Sequence, residues 1–159
     1  MIQLFTELQE KKNVRSNLSA LRASLKEATE EQKAQAIEFV RGHEDLVFGF
    51  LQEEDAKTRK NAALLLGDLA VQNALQPLWK AYTREQTLFV KSAYLEAMKA
   101  LHAEEILSQL KDRLAELEGE PVTEENRKHW EAELRALRAI LIQYEGIDTH
   151  HFDIKQKNN

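Results

Sequence analysis

The chain has no cysteine, which excludes disulfides, thiolate metal sites and cysteine nucleophiles and fits a reducing cytoplasm. Its two prolines and five glycines leave long stretches without a helix breaker. The glycines (Gly42, Gly49, Gly67, Gly119 and Gly146) are isolated, so neither a dinucleotide fingerprint nor a Walker loop exists. The longest apolar run, Ala62–Leu66, is far short of the roughly 20 residues that cross a bilayer. The start, Met1-Ile2-Gln3-Leu4-Phe5, lacks a basic segment and soon meets Glu7 and Glu10, so no signal peptide is expected. A net charge of −5 gives no global field toward nucleic acid.

What remains is helical. Val14, Leu18, Leu21, Leu25 and Ala28 step by four and three, as do Trp130, Leu134, Leu137, Leu141 and Tyr144. Leu4, Phe5 and Leu8 suggest a short first helix. Thr29 with Gln32 forms a capping-box pattern before a helix over 30–41, with a short partner over 44–52. Asp55 is placed to cap a helix over 56–70, and Asn73 one over 74–82. Thr83-Arg84-Glu85-Gln86 reads as a second capping box, opening a helix to Leu101. Helices over 103–118 and, from Thr123, to Tyr144 complete the expectation. No segment alternates apolar and polar residues, so no strand is expected.

A spaced echo organises these helices. Arg59 recurs as Lys91 32 positions later, Leu66 as Met98, Leu69 as Leu101, and Leu78 as Leu110. Such a period points to stacked helix pairs that bury their apolar faces only against neighbours. Ala62, Ala63, Leu66, Leu69, Leu75, Leu78 and Tyr94 are the expected core.

Asp55, Thr58-Arg59, Ala62-Ala63, Leu66-Gly67 and Ala74-Leu75-x-Pro77-Leu78 together resemble the HEAT repeat pattern. The resemblance is fair over 50–82 and weaker over 87–118, where Tyr94 replaces a small residue. It implies an all-α superhelix of about four helix pairs over residues 1–149, with the second helix of each pair on the concave side. Residues 150–159 are expected to be a polar tail or connector.

Chemistry is sparse. Zinc-protease spacing and Glu-x-x-His are absent, and the serines fall within helical pattern. Acidic clusters at Glu30-Glu31, Glu53-Glu54-Asp55, Glu104-Glu105 and Glu124-Glu125 sit at helix starts, where negative charge offsets the dipole. His43 and His102 lie at helix ends, and adjacent His150 and His151 lack further ligands. No enzyme activity, cofactor or metal is therefore expected.

Binding is the remaining class. Trp79 either fills the gap between repeats or anchors a peptide or base, with Lys80 and Arg84 beside it. Lys80, Arg84, Lys111 and Arg113 are the local basic groups that would carry any RNA binding, and Arg127, Lys128, Arg135 and Arg138 form a basic set on the last helix. Glu131 is placed to pair with Arg135, and Arg59 with Asp55 or the preceding repeat. The expected partner is a protein or peptide met in the cytoplasm, with RNA as the alternative and no membrane. The alternative has a motive in Ile147–Asn159, which resembles the segment joining a HEAT-like region to a methyltransferase domain in some bacterial proteins. Under that reading the chain positions substrate for an RNA methyltransferase whose cofactor loop is not in this sequence.

Overall fold

A computed structural model describes residues 1–145, and among them every regular element is a helix. The chain divides into two compact units, Met1–Leu101 and His102–Asn159. The helix over 88–100 falls in the first unit and the helix over 107–119 in the second.

The first unit holds α1 (Ile2–Gln9), α2 (Val14–Leu25), α3 (Glu30–Gly42), α4 (Glu44–Gly49), α5 (Ala56–Asp68), α6 (Leu75–Arg84) and α7 (Leu88–Ala100). A 3-10 turn, Phe50–Gln52, follows α4, and another, Gln72–Ala74, leads into α6. Where local chemistry is self-contained, the helix starts agree with the sequence. Thr29 Oγ1 accepts from the Gln32 N–H at 3.1 Å while Gln32 Oε1 accepts from the Thr29 N–H at 3.0 Å. Asp55 accepts from both the Thr58 N–H (2.9 Å) and its hydroxyl (2.7 Å).

Two expected starts are corrected. The Thr83–Gln86 capping box does not form: α6 runs on through Arg84, Thr83 Oγ1 donates to the Lys80 carbonyl at 2.7 Å, and α7 begins after Thr87. Asn73 caps nothing. Its amide reaches the Glu44 carboxylate at 3.2 Å, and Ala74 holds the N-cap position of α6.

The core of this unit is the expected one. Helix α5 packs on α2 and on α7, so the first helices of successive echoes meet directly. Ala62, Ala63, Leu66, Leu69, Leu75, Leu78 and Tyr94 are all buried, joined by Leu18, Leu21, Tyr82, Val90 and Met98. The α5–α7 crossing is close because its residues are small. A Cβ on Gly67 would stand 2.9 Å from the Ala97 Cα, a backbone atom that cannot swing aside. Gly→Ala inside a helix ordinarily stabilises by up to about 1 kcal/mol. Gly67→Ala should instead destabilise by about 1–3 kcal/mol, the usual cost of overpacking. Urea unfolding of the two proteins reads the sign, and a gain in stability would contradict the crossing geometry.

At the edge of this unit Phe5, Phe39 and His43 stack with ring centroids 4.5 Å apart at each step. His43 Nδ1 lies 2.8 Å from the Phe39 carbonyl and so carries the proton, leaving Nε2 to accept from the Gln9 amide at 2.7 Å. The histidine is thus a joint between elements.

The second unit, described over 102–145, holds a 3-10 turn (Ala103–Ile106), α8 (Leu107–Gly119) and α9 (Arg127–Glu145). The α9 start differs from the sequence reading. Thr123 and Asn126 exchange bonds, N–H to side chain in each direction, at 2.7 and 3.3 Å, and close a turn that delays the helix to Arg127. Trp130, Leu134, Leu137 and Leu141 are buried as expected, and the Trp130 indole N–H donates to the Leu117 carbonyl. Residues 146–159, including His150, His151 and the expected connector, lie outside the described residues.

Candidate functional site

The first unit carries an open groove of about 710 Å³. One set of lining residues comes from α4 and the turn after it: Phe48, Leu51, Gln52, Glu53 and Glu54. The other comes from α6 and the segment beyond: Pro77, Lys80, Ala81, Arg84, Glu85, Gln86 and Thr87. Positions 77, 80, 81 and 84 are one helical face, spaced three, one and three. Leu75, Leu78 and Tyr82 take the opposite, buried stripe.

Arg59 and Tyr94 complete the groove, and with Glu85 they form its fixed polar base. Arg59 Nε and Nη2 donate to the two oxygens of Glu85, each at 2.9 Å. Its Nη1 donates to the Glu53 and Glu54 carbonyls at 2.8 and 2.7 Å. The Tyr94 hydroxyl lies 3.2 Å from Glu85 Oε1, and the Thr87 N–H donates to Glu85 Oε2 at 3.2 Å. One guanidinium thereby ties the turn after α4 to the start of α7. The expected pairing of Arg59 with Asp55 is corrected, since Asp55 is taken by Thr58 and, at 3.3 Å, by Arg15.

This arrangement shifts three titrations. Burial opposes ionisation of Glu85. The Arg59 and Thr87 hydrogen bonds, the Arg59 charge and the Tyr94 hydroxyl outweigh it, so the carboxyl lies below its ordinary range. Burial, followed by the nearby Glu85 charge, pushes the Tyr94 hydroxyl well above its ordinary value. The Glu85 hydrogen bond raises Arg59. Every change favours the state already present at neutral pH, which suits a structural base rather than a proton-transfer group.

The sequence-selected residues separate. Lys80 and Arg84 are exposed and line the groove together. Trp79 does not line it. Its ring packs 5.3 Å from Tyr82, whose other neighbour is the Lys91 ammonium at 5.4 Å, and it is half-buried. Lys111 and Arg113 belong to the second unit. Lys111 is exposed, whereas Arg113 is gripped by Glu133 (2.8 Å), Glu116 (3.1 Å) and Glu120 (3.4 Å). Glu133 is nearly inaccessible, which makes Arg113 a strut of that unit. The basic set on α9 is corrected too. Arg138 is buried with Glu118 at 3.9 Å, and Glu131 pairs with Arg127 at 3.8 Å instead of Arg135.

Among the described residues no group of three or more His, Cys, Asp or Glu stands together to hold a metal. Among them, too, no helix is long and apolar enough to cross a membrane. Lys80 and Arg84 fall on the groove wall, whereas Glu85 as the partner of Arg59 is not read from the sequence. The only local hint was a carboxylate between Arg84 and Gln86, which reads equally well as a cap. No family model matches the chain, and no curated protein or solved structure matches it significantly.

Proposed function

We propose that this chain is a non-catalytic helical scaffold of the HEAT-like kind, and that the first unit takes an extended protein segment in its groove. The observation that carries the reading is the groove's make-up. Phe48, Leu51, Pro77 and Ala81 supply apolar surface, Glu53 and Glu54 contribute negative charge from one segment, and Lys80 and Arg84 contribute positive charge from another. A polyanion would meet repulsion from the acidic segment. A peptide carrying both signs around an apolar residue satisfies both. The two segments are also the second-helix stretches that the HEAT resemblance assigns to a concave face. The firmly paired Arg59–Glu85–Tyr94 base holds the walls in place without presenting a reactive group.

The reading is tested by capture from extract of the native cells, with and without nuclease, using wild type and Ala81→Arg. Ala81 is partly exposed on the groove face, so a long side chain there obstructs the groove while leaving the core alone. The expected result is protein capture that survives nuclease and falls at least about tenfold in Ala81→Arg, the loss of roughly 1.4 kcal/mol of binding. Capture abolished by nuclease and falling steeply with salt would favour the RNA-positioning alternative. Trp79→Ala, placed on the Tyr82 side of α6, should weaken capture less than Arg84→Ala does, reversing the order suggested by aromatic content alone.

A further inference from the structure

A second, shallower depression of about 340 Å³ lies where α2 packs on α5, lined by Arg15, Ser16, Ser19, Lys57, Lys60 and Asn61. Three cations, two hydroxyls and an amide line it, and none of its lining residues is acidic. We propose that this depression binds a phosphate monoester group, at a site independent of the groove.

The observation that singles it out is Asn61. The residue is 8% exposed and lines the depression, and among the described residues its side chain makes no hydrogen bond. The amide atoms are not sealed from solvent, so their donor and acceptor capacity is open to a ligand in the depression. The exposed Ser19 hydroxyl also lines the depression and makes no hydrogen bond among the described residues. Ser16 donates to the Asn13 carbonyl at 3.1 Å. The nearest acid, Asp55, pairs with Arg15 at 3.3 Å and lies near Lys57. The Thr58 N–H and hydroxyl also donate to its carboxylate, and Lys57 and Lys60 line the depression.

The chemistry matches one doubly charged tetrahedral oxyanion. A phosphate monoester carries about −1.5 to −2 charges at neutral pH and three strong acceptor oxygens. Lys57 and Lys60 balance that charge, the Arg15 charge being met by Asp55, while Ser19 and Asn61 supply neutral donors. A nucleic-acid backbone is the poorer fit because it needs a continued basic track. The next cation along α2, Arg22, is held by Asp68 at 2.8 Å, and the whole chain carries −5.

The test is a titration of the full chain with inorganic phosphate, followed by ¹⁵N NMR at constant ionic strength with chloride as counter-ion. Saturable shifts of the Asn61 side-chain amide are expected. Lys60→Gln should weaken them about tenfold or more, the loss of one charged contact. Ser19→Glu, on the exposed side of α2, should abolish them while leaving the rest of the spectrum in place. O-phosphoserine should bind at least as tightly as inorganic phosphate. Non-saturating shifts, or an unchanged response in folded Lys60→Gln, would overturn the site. A thymidine oligonucleotide bound more tightly than phosphoserine would overturn the monoester in favour of a phosphodiester backbone.

Discussion

Replacing Arg59 with alanine should destabilise the first unit by about 3–5 kcal/mol, the usual cost of breaking a buried pair by removing one partner. The side chain makes four hydrogen bonds, two to the Glu85 carboxylate and two to the Glu53 and Glu54 carbonyls. The Glu85 carboxylate, 5% exposed in the intact chain, would keep just the Thr87 N–H and the Tyr94 hydroxyl against its charge. The damage lies chiefly in the stranded carboxylate, so Glu85→Leu added to Arg59→Met should recover much of the loss. Urea unfolding of the single and double variants reads this directly. Equal losses in both would contradict the account.

The same base sets the pH response. Glu85 titrates lower in the folded chain than in the unfolded one, so its contribution is complete above the ordinary carboxylate value of about 4.3. That contribution is lost as pH falls toward the depressed value. Tyr94 titrates higher when folded, so stability is lost as pH rises beyond the ordinary tyrosine value of about 10. In Arg59→Ala the acid limb should shrink or invert, because burial then raises Glu85 with little to oppose it.

Leu66→Ala should cost about 2–5 kcal/mol, the range for a fully buried leucine whose surroundings close only partly. Leu66 is wholly inaccessible, in the helix that meets both α2 and α7. The helices already cross closely, since a Cβ added at Gly67 would stand 2.9 Å from the Ala97 Cα, so the void cannot be filled by sliding them together. Leu64, on the same helix but partly exposed, is the matched control and should lose less on truncation. A loss no greater than the Leu64→Ala value would contradict the central place of α5.

What was legible in the sequence was local or periodic. The Thr29–Gln32 box and the Asp55 cap need only residues three apart, and both form. The stripes Leu18-Leu21-Leu25 and Leu134-Leu137-Leu141 needed only helical spacing, and both are buried. What was not legible depended on partners distant in sequence. Thr83 to Gln86 has the letters of a cap, but Glu85 is drawn to Arg59, 26 residues earlier, and Thr83 stays inside a helix that continues to bury Tyr82. Asn73 looked like a cap until Glu44 came within reach. Arg113 looked like a free cation because Glu133, 20 residues later, sits on another helix. Trp79 and Lys80 are adjacent in sequence, but consecutive helical positions point about 100° apart, so only Lys80 faces the groove.

The most direct measurement of the scaffold reading is site-specific photo-crosslinking in native extract, with a photoreactive phenylalanine introduced in turn at Ala81 and at Glu96. Ala81 lines the groove, whereas Glu96 is exposed on α7 and does not line it. The account predicts a discrete protein adduct from position 81, insensitive to nuclease, with little or none from position 96. Equal adducts from both positions, or an adduct from position 81 that nuclease removes, would contradict it.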